Sequence, residues 1–107
     1  MIADDELESA LHYLLDEADA DARARASADY LKEYLKVVKA DSIRQQPGVS
    51  VAAATIIAET STAYRQALER WRDANEEHCK RAFLRSAKQT LIDVWRSERA
   101  NERAQRI

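Results

Sequence analysis

Residues 46–50 read Gln46-Pro47-Gly48-Val49-Ser50, and they contain the only proline and the only glycine among 107 residues. Proline cannot continue a helical hydrogen-bond ladder, and glycine accepts the left-handed conformation of a reversal. The chain is therefore expected to turn back on itself over 46–49. Elsewhere there is almost no turn material. Strand-rich folds need many turns and helical folds few. Alanine and arginine are abundant, and both favour helix. The sequence thus predicts an all-α fold: an elongated antiparallel helical hairpin with a long C-terminal helix, one domain over 1–107, that oligomerises.

On the N-terminal side of the turn, a helix is expected over 22–45. Ala24, Leu31, Leu35 and Val38 mark its inner face, Ala28 lies close to that line, and Tyr30, Tyr34 and Val37 widen it. Lys32, Lys36 and Lys39 recur at i, i+4 and i+7, which gathers them into a basic stripe. An acidic helix precedes it over 1–20, with Asp4 and Asp5 as candidate N-caps and Leu7, Leu11, Leu14 and Leu15 as one apolar stripe. Residues 16–21 read either as a solvated helical turn or as a break with Asp19 or Asp21 as a new cap.

On the C-terminal side, Ser50 is a good N-cap for a short helix over 50–59. Thr55, Ile56 and Ile57 are β-branched and leave a strand open, but a lone strand would have no partner here. Thr60, Ser61 and Thr62 offer three hydroxyl caps and mark a break. From 62 to 104 nothing interrupts the helical pattern, giving a helix roughly 60 Å long at 1.5 Å per residue. Trp71, Cys79, Phe83, Ala87, Leu91 and Val94 or Trp95 trace one seam along it. So short a chain cannot cover so long a helix, and Trp95 is expected to lie beyond its neighbours' reach. Trp71, Phe83, Leu91 and Trp95 are therefore the expected oligomerisation residues.

The net charge of −2 conceals a polarity. Residues 1–22 carry eight acids and no Lys or Arg, whereas residues 62–107 carry eleven bases and seven acids. An acidic head and a basic body can pair, within one chain or between chains, although solvated helix faces explain the same runs.

Signals for catalysis are weak. Phosphate-cradling loops and dinucleotide fingerprints need several glycines. His78 and Cys79 are adjacent, so on a helix they point about 100° apart and cannot share one metal. Cys79 reads as a packed core residue. Glu76 and Glu77 are expected to pair with Arg72, Lys80 and Arg81 along their own helix. No catalytic residue, metal or cofactor is expected. One cysteine allows no intrachain disulfide, which suits a reducing cytoplasm. No apolar run reaches the roughly 20 residues of a membrane span, and the acidic start lacks the basic region of a signal peptide.

What remains is basic residues interleaved with aromatic ones. Lys32, Lys36, Lys39 and Arg44 line one helix, with Tyr30 and Tyr34 close by. Single-stranded nucleic acid is bound by cations that track the phosphates and aromatic platforms that stack the bases. The slightly acidic overall charge opposes that reading, as does the fit of the aromatics to a core seam.

The segment Ala26-Ser-Ala-Asp-Tyr-Leu-Lys-Glu-Tyr-Leu-Lys-Val-Val-Lys-Ala40 resembles the first long helix of the UvsY-type recombination mediators of tailed phages. The stretch from Thr62 to Arg103 resembles their long C-terminal helix. Leu91-Ile-Asp-Val-Trp-Arg-Ser-Glu-Arg-Ala100 also looks like the end of small phage proteins. The basic run that follows the mediators' first long helix is shortened here to Lys39-Ala-Asp-Ser-Ile-Arg44. The resemblance implies a homo-oligomer in the bacterial host cytoplasm that binds single-stranded DNA and helps a recombinase replace a single-strand-binding protein. It would place DNA contact on Lys32, Lys36, Lys39 and Arg44, and assembly on Trp71, Phe83, Leu91 and Trp95. The alternative is a non-enzymatic adaptor or inhibitor acting through its long helix.

Overall fold

The computed structural model of the chain describes residues 1–106. It is all-α, with α1 over Asp4–Asp16, α2 over Ala18–Arg44, α3 over Val51–Thr60 and α4 over Thr62–Gln105. No strand occurs among the described residues. The β-branched stretch Thr55-Ile56-Ile57 lies inside α3.

The helix ends show why the breaks fall where they do. Gly48 has φ +80 and nothing within 4 Å of where a Cβ would stand, so its backbone angle alone calls for glycine. Lys39, before this turn, meets Glu59, after it, at 2.9 Å. Ser50 caps α3, its hydroxyl accepting from the Ala53 amide at 3.2 Å. Ser61 serves two helices. Its Oγ donates to the Ala58 carbonyl at 2.7 Å, closing α3, and accepts from the Tyr64 amide at 3.2 Å, opening α4.

At the chain's start the expected caps are displaced. Ala3 is the N-cap of α1 and offers no side-chain bond, while Asp4, Asp5 and Glu6 occupy the first turn, where the helix dipole favours acids. Between α1 and α2 only Glu17 separates the helices, so residues 16–21 form a brief break at Glu17 and not a loop.

Tertiary contacts group the chain into two compact units, where the sequence reading treats 1–107 as one domain. The first joins Met1–Ala22 to the part of α4 from Cys79 onward, and the second is Arg23–His78. In the first unit α1 and α4 run antiparallel, because Asp4 meets Arg99, Tyr13 meets Lys88 and Glu17 meets Arg81. Ala10 and Ile92 are its buried apolar residues, and Ala28, Ala54, Ala58 and Ala67 are those of the second unit.

Alanine lets helices approach closely, but each buries little apolar surface, on the order of 0.8 kcal/mol per CH2-sized group. Larger apolar side chains stand outside. Tyr30, Val37, Ile56 and Phe83 are all more than 60% exposed. Tyr30, Tyr34 and Val37 therefore do not widen the inner face of α2.

Candidate nucleic-acid interface

The four bases expected to meet DNA share α2, and they differ in how far their charge is already used. Lys32 is exposed and makes no ion pair among the described residues. Lys36 Nζ lies 3.1 Å from Glu33 Oε1, one turn earlier. Lys39 is half-buried against Glu59, whose hydrogen bond and charge hold the ammonium above its ordinary pKa. Arg44 Nη2 lies 2.6 Å from Asp41 Oδ1. Such surface pairs contribute little and are screened by salt, so phosphates compete with them readily.

The aromatics beside this stripe give α2 a second feature. Tyr30 and Tyr34 lie one turn apart, with ring centroids 6.3 Å apart and planes only 11° from parallel. Tyr30 is 67% exposed and Tyr34 39%. Positions 30, 34, 37, 41 and 44 share one helix face. Tyr34, Val37, Val38, Ala40, Asp41 and Arg44 line a shallow surface groove on it. The sequence pattern assigned these tyrosines to the core because their spacing is also helical. The alanine core does not need them.

The expected assembly residues do not form one exposed seam. Trp71 is half-buried in the Arg23–His78 unit. In the other unit Leu91 and Trp95 are half-buried, whereas Phe83 is 75% exposed. Cys79 and Ala87 are exposed too, so Cys79 is not a core residue.

The inward side of this stretch instead carries Arg81, Lys88, Leu91, Ile92 and Trp95. Charge explains the rotation. Arg81 Nη1 lies 3.1 Å from Glu17 Oε2 and 3.4 Å from Asp21 Oδ1, and Arg85 Nη1 lies 3.1 Å from Asp21 Oδ2. Arg85 also donates to the Leu14 carbonyl at 3.4 Å, where α1 ends. Lys88 Nζ sits 5.7 Å above the Tyr13 ring. Facing the acidic head, α4 turns its cations inward and leaves Phe83 outside. Arg81 thus reaches the acidic head. Among the described residues no ion pair joins Arg72 to Glu76 or Glu76 to Lys80.

Trp95 is within its neighbours' reach, contrary to expectation. Its Nε1 donates to Asp4 Oδ1 at 3.3 Å, and the Arg99 guanidinium lies 5.1 Å from its ring centroid. Arg99 Nη2 donates to the same Asp4 oxygen at 2.8 Å. The Asp4 carboxyl is held below the usual aspartate range, first by the Arg99 hydrogen bond, then by the Trp95 N–H and the Arg99 charge.

No family model matches this chain, and no curated protein or solved structure matches it. Among the described residues no group of three or more His, Cys, Asp or Glu is placed to hold a metal ion, and no helix is long and apolar enough to cross a membrane.

Proposed function

We propose that this chain is a non-catalytic, self-associating accessory protein of phage-type recombination that binds single-stranded DNA in the host cytoplasm and assists recombinase loading. The observation that carries the DNA contact is the exposed, near-parallel Tyr30–Tyr34 pair on the helix that bears Lys32, Lys36, Lys39 and Arg44. Stacked aromatic faces accept any base, at about 1–3 kcal/mol per stacked base, and neighbouring cations track the phosphates. Lys32 is the cation most available for that role, because among the described residues no carboxylate pairs with it.

Self-association has separate support. Among the described residues the buried apolar ones are five alanines and Ile92, while Phe83, Leu15 and Ile56 stand exposed, a distribution that favours a second copy covering them. The recombination role, and a recombinase or single-strand-binding protein as partner, rest on the resemblance of 26–40 and 62–103 to the mediators.

The test is anisotropy of a labelled oligothymidylate at several salt concentrations. Binding should weaken steeply with salt and fall at least tenfold in Tyr30→Ala/Tyr34→Ala. Lys32→Ala/Lys36→Ala should lower the salt slope by about two. An oligonucleotide that ignores the protein at low salt contradicts the reading.

The adaptor reading is favoured by one observation, the 75% exposure of Phe83, which no DNA contact requires. It predicts capture of a helical partner that depends on Phe83 and is indifferent to Lys32 and Tyr30.

A further inference from the structure

Arg96, Arg99 and Arg103 recur at steps of three and four along one face of α4, and Arg106 continues the row in the turn just past Gln105, its amide donating to the Arg103 carbonyl at 3.3 Å. With Trp95 and Glu102 they line a shallow groove of about 320 Å³. The row covers eleven residues, ten steps of the chain, or about 15 Å at the helical rise. Within it Arg99 has its charge met, by Asp4 at 2.8 Å and Glu102 at 3.3 Å. Arg96, Arg103 and Arg106 make no ion pair among the described residues. Among the described residues four guanidinium groups thus face two carboxylates, a local excess of positive charge.

The Asp4 contact shows what this groove receives. A single carboxylate oxygen accepts from the Trp95 indole N–H and from the Arg99 guanidinium together. A phosphate oxygen can accept the same pair of hydrogen bonds, and guanidinium groups match phosphate geometry closely. Asp4 is a surface residue whose side chain is 75% exposed, so it is held by exchangeable contacts. A row of cations 15 Å long suits a repeating anion better than a single one, and the half-buried indole beside it offers part of a face for a base.

We propose that the Trp95–Arg106 groove is a second binding site for the phosphodiester backbone of single-stranded nucleic acid, in which the Asp4 carboxylate is a resident competitor. The ligand class rests on the proposed function, and the site and its competitor do not. Displacing Asp4 exposes Arg99 and the Trp95 N–H to the strand, so the acidic head sets the affinity of the basic end. Arg99 is the shared contact, while Arg103 and Arg106 provide attraction that Asp4 does not reach.

The test is binding of a labelled oligothymidylate by the full chain, with helicity checked by circular dichroism. Asp4→Asn should tighten binding about threefold or more. Arg103→Gln/Arg106→Gln should weaken it about tenfold and lower the salt slope by about two. Arg70→Gln/Arg72→Gln removes the same charge from another part of α4 and should have a much smaller effect. Equal losses in the two arginine pairs mean only net charge matters and overturn the groove. A loss confined to Tyr30→Ala/Tyr34→Ala, with Arg103→Gln/Arg106→Gln and Asp4→Asn binding like the parent, overturns the groove and leaves the proposed function standing. An oligonucleotide that binds no variant overturns both. A poly-glutamate peptide that binds the groove in a way the oligonucleotide cannot displace assigns it to an acidic protein and overturns the proposal.

Discussion

Asp4 Oδ1 lies 2.8 Å from Arg99 Nη2, so the first turn of α1 is fastened to α4 near its C-terminal end. This contact is the outermost of a series in which the acidic head meets basic positions of α4 in antiparallel order.

The contact has a defined pH dependence. Arg99 and Trp95 lower the Asp4 carboxyl below its ordinary value in the fold. A lowered folded pKa means the stabilisation is complete above the unfolded value, about 3.9, and is lost as pH falls through the lower folded value. The Trp95 Nε1–H resonance should therefore move with a midpoint below about 3.9, and Arg99→Gln should bring that midpoint back up. A resonance insensitive to pH between 2 and 5 would place Asp4 elsewhere.

Asp21 carries more of the fold than Asp4. Its side chain is only 15% exposed and meets Arg81 and Arg85 on its two oxygens. Asp21→Asn keeps the shape and removes the charge. It should cost about 1 kcal/mol, lowering the melting temperature by roughly 4–8 °C. Asp19→Asn, in the same first turn of α2 but exposed and without those partners, should lower melting by less than Asp21→Asn does.

The alanine core makes an equally specific prediction. Ala58 is 0% exposed and Ala54 1%. Ala58→Leu has no space to occupy without separating α3 from its neighbours, and should destabilise by about 1–3 kcal/mol in chemical denaturation. Ala52→Leu, at an exposed position on the same helix, should change stability by less than about 0.5 kcal/mol.

Phe83 separates folding from assembly. At 75% exposure it adds little to its own chain's stability, so Phe83→Ser should leave the helical signal unchanged. It should reduce the sedimenting mass by breaking contact between copies. An unchanged mass would remove Phe83 from the interface and leave Leu15, Ile56 and the other exposed apolar residues as candidates.

The helices were legible because their punctuation is local. Pro47-Gly48, Ser50 and Ser61 each act on backbone groups within a turn of themselves, so the sequence places the breaks to within a few residues. The direction of each helix face was less legible. Periodicity gives Phe83 and Leu91 equal standing, and it cannot tell that α4 rotates to present Arg81 and Arg85 to Glu17 and Asp21, and Lys88 to the Tyr13 ring. The charge asymmetry carries that information, because a face of α4 that meets the acidic head through Arg81 and Arg85 leaves Cys79 and Phe83 outward. The same lesson covers Tyr30 and Tyr34. Helical spacing assigns them to a core, but alanines fill the core and leave them at the surface. Trp95 escaped for another reason, since its partner Asp4 is 91 positions away.

Sedimentation velocity of the full chain with a fluorescent oligothymidylate tests the central claim most directly, because it reports assembly and DNA binding together. The account predicts a species several times heavier than the 12.2 kDa chain that carries the oligonucleotide at low salt and releases it at high salt. A 12.2 kDa monomer that leaves the oligonucleotide unbound at low salt would contradict it.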